Sequence, residues 1–490
     1  MRFALDSTVA ALEGAGLLAG IRGPLPEFVS GIADDSRMVG PGWLFIAVRG
    51  SVLDGHDYLD RAQQLGASAV MLEDASRTSL PAIVVREGVG RKAAAVAAGS
   101  AFGEPSRQLS IIGITGTNGK STTAGILRHL LDRPDSRSAS IGTLGVLLGT
   151  EAEVVPGGTD LTTPGPVELQ RVLRDLVDRG VRTVAMEVSS HSLDQRRIDG
   201  LAFDAAVFTN LTRDHLDYHG TMEAYLTAKA TLIDYLEAEG AAVVNVDDSE
   251  WDALPDTRRK ILFGLSDRAE IRATEVVYSA SGSEWNVHRG AESFPVSLPL
   301  IGDVNVHNAL GALAVGATLG VPLRDLAACL TVLPQVPGRL EVISHRPTVL
   351  RDYAHTPDAL GRVLGAIKPF TAGRVILVFG CGGDRDRGKR PEMGRAAERG
   401  ADIVIVTSDN PRTEDPELIL DDIESGMSSA PHHRIENRRL AIQRALLEAR
   451  EGDVVLLAGK GHETYQIRGT VKAPFDEKLV LSELIAERSS

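Results

Sequence analysis

The apolar stretch Leu109–Ile114 runs into Thr115-Gly116-Thr117-Asn118-Gly119-Lys120-Ser121-Thr122. A buried strand, a glycine-rich turn ending Gly-Lys-Ser and a helix starting at Thr122 make an anion cradle. Successive backbone N–H groups and the helix N-terminus point at one spot. In such a loop Lys120 contacts the terminal phosphates of a nucleotide and the Ser121 hydroxyl serves Mg²⁺. The general spacing asks for glycine five positions before Gly119, where this chain has Ile114; its glycines are Gly113 and Gly116. An ordinary strand–helix turn would share the glycines but has no need of Lys-Ser.

Further reactive side chains cluster after other apolar runs. Val181–Met186 leads into Glu187-Val188-Ser189-Ser190-His191, and a carboxylate at a strand's carboxyl end beside a phosphate loop suits Mg²⁺ ligation. Taken alone, Glu187 fits a solvated strand end equally well. Ala205–Phe208 leads into Asn210-Leu211-Thr212-Arg213-Asp214-His215-Leu216-Asp217-Tyr218-His219, where two histidines and two acids follow within six residues. Lys229 sits on a helix predicted over Thr221–Leu236, and its residue type by itself reads as a surface lysine. Late in the chain, Gly380–Pro391 holds six charges beside a strand end, which favours an anion-binding loop over a surface turn. Asp409-Asn410-Pro411-Arg412 and Gly459-Lys460-Gly461-His462-Glu463 also follow strands.

The elements that must position these groups alternate. Residues 1–105 mix short apolar runs (Trp43–Val48, Ala67–Leu72, Pro81–Val85) with turns and close on a helix over Gly90–Ala101; Gly103-Glu104-Pro105-Ser106 reads as a linker. Residues 106–337 carry the runs above, Ala241–Val246 and a helix over Val167–Asp178, a pattern of buried parallel strands with covering helices. A second break falls at Pro337-Gly338-Arg339. Residues 338–490 repeat the alternation: strands Val349–Tyr353, Arg374–Phe379, Ile403–Thr407 and Val454–Ala458, helices Asp358–Ile367, Glu392–Arg399, Leu418–Met427 and Leu440–Arg450. The fold class is therefore α/β in three domains: a small N-terminal α/β domain, a central phosphate-loop ATPase-type parallel sheet and a C-terminal Rossmann-like doubly wound domain. Three cores suit 490 residues at about 150 per domain.

Composition excludes several classes. A formal charge of −14 leaves no basic footprint for a nucleic acid. Two cysteines, Cys329 and Cys381, exclude a disulfide framework and a cysteine-built zinc site, and suit a reducing cytoplasm. No run approaches the roughly 18 apolar residues of a membrane span. The N-terminus is faintly signal-like, but Asp6 and Glu13 interrupt it and it reads as a folded opening segment.

The loop form Gly-Thr-Asn-Gly-Lys-Ser resembles that of the Mur ligase superfamily and its folylpolyglutamate synthetase relatives. Motifs along nearly the whole chain resemble, more narrowly, the UDP-N-acetylmuramoyl-tripeptide synthetases of the meso-diaminopimelate-adding branch. The resemblance implies that residues 1–105 bind a UDP-sugar, 106–337 bind ATP and 338–490 bind the incoming amino acid. By it, Gly116, Thr117, Asn118, Gly119, Lys120, Ser121, Thr122, Asn305, Asn308 and Asp352 face the nucleotide. Ser36, Thr162, Thr163, Ser189, Gln195 and Arg197 match positions holding the UDP-sugar dipeptide. Leu161 stands where some members have a polar residue, so that contact is not carried over. Arg390, Asp409, Asn410, Pro411, Arg412, Gly459 and Glu463 surround the amino acid. Ser121, Glu187, His215 and Lys229 become Mg²⁺ ligands, Lys229 as a CO₂-derived carbamate, and Lys120, Lys229 and His215 the catalytic set. The implied partners are UDP-MurNAc-L-Ala-D-Glu, ATP and meso-diaminopimelate, with Mg²⁺ as cofactor and a cytoplasmic monomer as the acting form.

Two alternatives differ in what they require. Another ligase of the superfamily would keep the phosphate loop but lack Asp409-Asn410-Pro411-Arg412. A nucleotide switch would need neither Lys229 nor the Arg390 loop.

Overall fold

The computed structural model describes residues 2–50, 53–158, 161–279, 281–428 and 431–489. Among them the strands form three principal sheets of five, eleven and six strands, each with its own helices.

In the first sheet, strands Ile32–Ala33, Leu44–Ile46, Ala69–Leu72 and Ala82–Val85 run parallel, and Leu18–Arg22 adds antiparallel to the last. Helices Leu5–Gly14 and Gly90–Ala101 cover one face through Leu5, Leu12, Ala94 and Ala98. The alanine-rich helix lets backbones approach closely because it presents almost no side-chain volume.

The eleven-stranded sheet is parallel through its middle. Ser110–Thr115 lies at its centre between Val181–Glu187 and Phe203–Phe208. Ile112 and Ile114 point to one face, into a core with helices Lys120–Leu131 and Asp303–Thr318. Ile111 points to the other, with Leu169, Leu173 and Leu176 of helix Pro166–Asp178. Both faces are buried, which is why these strands read as unbroken apolar runs. Each fully buried Ile or Leu contributes about 1.5–3 kcal/mol.

The edges depart from the parallel expectation. On one side Arg137–Gly142 still runs parallel to Val181–Glu187, and Gly145–Leu148 and Glu153–Val155 follow antiparallel. Ile271–Ser279, Gly282–Arg289 and Glu292–Leu298 extend the other. The second hairpin set buries alternate residues, such as Ile271 and Ala273, so only half of each strand is apolar. The helix predicted over Thr221–Leu236 is shorter, Met222–Ala230. A tight turn at Thr231–Tyr235 follows, and Leu236 already begins a strand, paired with Phe203. β-Branched Thr231 and Ile233 weaken the helix there, and sheet pairing takes over. The loop helix begins at Lys120, two residues before the expected start.

The six-stranded sheet orders Thr348–Asp352, Val454–Ala458, Val375–Phe379, Ile403–Val406 and His433–Arg434 in parallel, with Glu341–His345 antiparallel at one edge. Helices cover both faces. Its junction with the central domain turns at Gly338, whose φ is +65°. A Cβ there would sit 2.2 Å from the His462 amide nitrogen. The Gly338 N–H donates to Glu341 (2.7 Å), which also accepts from Arg351 Nε (2.6 Å) and Lys478.

The junction therefore has no room for a side chain. We expect Gly338→Ala to cost on the order of 1–3 kcal/mol. Thermal melting checks the stability, and turnover should fall because the two large domains are displaced. An unchanged melting curve with full activity would contradict this packing.

Candidate functional site

The phosphate loop is built by close approach. Gly116 has φ +146°, and a Cβ there would lie 1.9 Å from Thr209 Oγ1. Gly119 has φ +86°, and its Cβ would lie 2.3 Å from Asn308 Oδ1. Only glycine meets both demands. Ile114, at the position where the general spacing has glycine, is a core strand residue in register with Glu187 and Val207. The turn therefore opens later, at Gly116. Behind it, Asn210 accepts from Thr117 N (2.7 Å) through its carbonyl and from Asn118 N (2.9 Å) through Oδ1. Thr209 Oγ1 donates to Asn118 O at 2.7 Å.

Two lysines converge on this loop. Lys120 Nζ donates to the carbonyls of Gly116 and Thr117, each at 2.8 Å. Lys229 Nζ donates to the same Gly116 carbonyl at 2.8 Å and lies 4.6 Å from the Tyr225 ring centroid. Lys229 is 1% exposed, so it is not the surface lysine its sequence context suggested. Burial lowers the pKa of both; the charge of Lys120 pushes Lys229 further down, whereas Glu187 and Asp214 oppose the shift at Lys120. Two unit charges about 5 Å apart at an effective dielectric of 20 repel by on the order of 3 kcal/mol. That cost favours a neutral Lys229 amine.

Glu187 is buried at the end of its strand rather than solvated. Its carboxylate accepts from Thr143 N (3.0 Å) and Thr143 Oγ1 (3.1 Å), and Thr143 Oγ1 meets Thr162 Oγ1 at 3.2 Å. His215 takes φ +53° and stands edge-on to His191, ring centroids 4.8 Å apart. Burial lowers the His215 pKa, against the pull of Asp214. Lys120, Ser121, Glu187, His215, Asn305, Asn308, Arg339 and Asp352 all line one cleft of about 340 Å³ between the central and C-terminal domains. Among the described residues, no group of three or more His, Cys, Asp or Glu is arranged to hold a metal ion. The acceptors facing the loop are the Ser121 hydroxyl, the Glu187 carboxylate and the His215 imidazole.

Asn305 and Asn308 lie one helical turn apart on Asp303–Thr318. Asn308 Nδ2 donates to Asn305 Oδ1 (3.1 Å), and Asn308 Oδ1 faces Gly119. Asp352 is buried; its carboxylate accepts from the N–H groups of Leu340 and Ala354, both at 2.7 Å, and burial raises its pKa.

The residues matched to a UDP-sugar dipeptide fall into two places. Thr163, Ser189, Gln195 and Arg197 form one network. Thr163 Oγ1 donates to Glu187 O (2.9 Å) and accepts from Ser189 N (3.1 Å), while Arg197 reaches Thr163 O (3.1 Å) and Gln195 Oε1 (2.6 Å). Thr162 joins it through Thr143. Ser36 is buried in a turn of the N-terminal domain, and no contact among the described residues ties it to that network. Its neighbour Asp34 marks the domain contact: burial raises its pKa, and the Val167 N–H donates to it.

The amino-acid set gathers at the carboxyl ends of the six-stranded sheet. Arg390 is fully buried, and Glu414 (2.7 Å) and Asp422 (2.8 Å) occupy its guanidinium. It braces the loops that carry Gly382 and Glu414. Arg412 adopts φ +52°, unusual outside glycine, and donates to Gly383 O at 2.8 Å. Pro411 precedes it, its carbonyl packed against Gly383. Asn410 Nδ2 donates to Glu463 Oε2 at 2.8 Å. The Gly459 N–H donates to Asp352 O at 3.0 Å, tying the carboxyl ends of these two neighbouring strands together.

Three residues carried no role in the sequence reading. Thr143 holds Glu187. Arg339 donates to Ser121 Oγ (3.1 Å) and stacks 4.9 Å from the Tyr353 centroid. Lys460 is buried among Asp409, Asn410 and Glu463. Arg339 follows the hinge glycine and Lys460 lies inside a singled-out segment, so adjacency was the available signal.

Comparison with known proteins follows this geometry. Residues 28–104 match the Mur ligase family, catalytic domain; 114–316 the Mur ligase middle domain; 338–461 the Mur ligase, glutamate ligase domain. The UDP-N-acetylmuramoyl-L-alanyl-D-glutamate–2,6-diaminopimelate ligase of Synechococcus elongatus is 43% identical over 476 residues, 94% of this chain and 95% of its own. The Geobacter metallireducens enzyme of the same name is 43% identical over 495 residues, 96% of each chain. A solved structure of a ligase with that name superposes with a TM-score of 0.66 at 36% identity, covering 94% of this chain and 96% of the other. The Thermotoga maritima MurF ligase in complex with ADP shares the fold, with a TM-score of 0.63 at 22% identity over 93% of this chain and 96% of that one. The chain belongs to the Mur ligase family, among the UDP-N-acetylmuramoyl-L-alanyl-D-glutamate–2,6-diaminopimelate ligases.

Proposed function

We propose that this chain joins meso-diaminopimelate to the γ-carboxylate of D-Glu in UDP-MurNAc-L-Ala-D-Glu, consuming ATP and releasing ADP and phosphate, as a cytoplasmic monomer. No helix among the described residues is long and apolar enough to cross a membrane. The observation that carries the reading is the pair of lysines, Lys229 buried and Lys120 half-buried, on the Gly116 carbonyl, beside Ser121 and Glu187 in a cleft between two α/β domains.

A carboxylate resists attack by an amine, so it must first gain a leaving group. The D-Glu γ-carboxylate attacks the ATP γ-phosphorus, ADP departs and an acyl phosphate forms. Lys120 exchanges its two loop carbonyls for phosphate oxygens, and the loop amides supply further donors. Ser121, Glu187, His215 and carbamylated Lys229 are suited to hold Mg²⁺, whose charge would offset that of the phosphoryl oxygens. The amino group of the incoming amino acid, having lost its proton, then attacks the acyl carbon. A tetrahedral intermediate collapses and expels phosphate. Because the cleft lies between domains, their approach excludes the water that would hydrolyse the acyl phosphate.

Carbamylation fits the electrostatics. CO₂ adds to a neutral amine, and burial together with Lys120 favours that form at Lys229. The product is an anion beside Lys120, so a repulsive pair becomes an attractive one.

At the amino-acid end, Arg412 gives one guanidinium nitrogen to Gly383 O, leaving a planar donor edge for a carboxylate. Diaminopimelate carries a distal carboxylate that lysine lacks. A half-buried arginine left without that partner disfavours lysine, and discrimination reaches up to ~10⁴-fold at sites built around a polar substrate group.

ADP release with UDP-MurNAc-L-Ala-D-Glu and a panel of amino acids tests the activity. Diaminopimelate should drive turnover, and equal use of lysine would overturn the specificity. We expect Lys229→Ala to be nearly inactive and partly restored by added short carboxylates; wild-type rates in that variant would refute the anionic role. Arg412→Ala should raise the KM for meso-diaminopimelate far more than that for ATP, which steady-state kinetics with each substrate varied will read.

A further inference from the structure

Lys460 is 0% exposed, and each of its three N–H donors has an acceptor. Nζ lies 3.1 Å from Glu463 Oε2, 3.2 Å from Asn410 Oδ1 and 3.3 Å from Asp409 Oδ1. The acceptors are held from behind as well. Asn410 Nδ2 donates to Glu463 Oε2 (2.8 Å), Ile467 N donates to Asn410 Oδ1 (2.9 Å) and Gln466 Nε2 donates to Asp409 O (2.7 Å). The Asp409 and Glu463 side chains are only 10% and 13% exposed, so neither carboxylate is neutralised by bulk water.

Two carboxylates and one ammonium leave this cluster with a formal charge of −1. Without the lysine, two nearly buried carboxylates would be left unpaired, a costly arrangement that would turn them apart. With it, their orientation is fixed and a single negative charge remains, near the Arg412 backbone that hydrogen-bonds Ile467. That charge matches one ammonium. Of the two amino groups of diaminopimelate, one must be uncharged to attack and the other remains an ammonium beside the distal carboxylate.

We infer that Lys460 is the positioning residue of the amino-acid pocket: it orients Asp409, Asn410 and Glu463 and trims their charge so that the pocket accepts the non-reacting ammonium of the substrate. The inference rests on the assignment of meso-diaminopimelate as substrate, and wild-type turnover with that amino acid checks the assignment separately.

The test is steady-state kinetics of the full-length enzyme with each substrate varied in turn. Lys460→Met keeps the apolar stem and removes charge and donors. It should raise the KM for meso-diaminopimelate roughly 10- to 100-fold, leaving the KM for ATP and for the UDP-sugar dipeptide within about twofold. A general structural defect would instead move all three constants or kcat alone, and either pattern overturns the inference. The double variant Asp409→Asn/Lys460→Met restores the −1 charge and also serves if the single variant folds poorly. It should bind meso-diaminopimelate several-fold more tightly than Lys460→Met where that variant folds, and with a KM below the 10- to 100-fold range in any case. A double variant no better than that, or a single variant with wild-type KM for the amino acid, also overturns it.

Discussion

Two lysine side chains on one buried carbonyl are the constraint around which the rest of the centre is arranged. Lys120 belongs to the loop and Lys229 arrives from a helix more than a hundred residues later, yet both end on Gly116 O. Left as two cations, they would work against folding of the loop. The surroundings answer that tension with Glu187 and Asp214 near Lys120 and an apolar, aromatic wall of Tyr225 at Lys229. The site is polarised before any ligand arrives: acids near Lys120 support its charge, while burial and Lys120 itself disfavour charge on Lys229.

The domains place this chemistry by one shared device. In both large sheets the reactive loops leave the carboxyl ends of parallel strands, where backbone N–H groups are free and ligands bind in α/β proteins. Ser110–Thr115, Val181–Glu187 and Phe203–Phe208 present the phosphate loop, the acid and the His215 segment. Thr348–Asp352, Val375–Phe379, Ile403–Val406 and Val454–Ala458 present Asp352, the Arg390 loop, Asp409–Arg412 and Gly459–Glu463. Short strands with buried faces make these ends rigid, so the loops can hold strained conformations such as those of His215 and Arg412.

The parallel cores were legible because strands buried on both faces leave continuous apolar runs, and the helices between them keep a 3.6-residue period. The hairpin edges were hidden because one-sided burial halves the signal, as in Ile271–Ser279. Length failed at Thr221–Leu236, where β-branched Thr231 and Ile233 weaken the helix and pairing of Leu236 with Phe203 decides the outcome. At the site, residue types pointed to the loop, and the family resemblance pointed to Glu187 and the Asp409–Arg412 segment. They could not show that Lys229 is buried, since burial is a property of the packed helix, nor that Arg390 spends its donors on Glu414 and Asp422. Thr143 was invisible for the same reason, and only adjacency to Gly338 marked Arg339: their roles exist only through partners distant in sequence.

Arg339 carries one more implication. Its guanidinium donates to Ser121 Oγ from the segment that joins the central and C-terminal domains. Any cation bound at that hydroxyl meets an arginine charge at the same oxygen, so the two occupancies oppose each other. By linkage the opposition is reciprocal: a cation at Ser121 weakens the Arg339 hydrogen bond by the same free energy by which that hydrogen bond disfavours the cation. A single hydrogen bond thus ties the segment that joins the two domains to the hydroxyl at the head of the phosphate-loop helix.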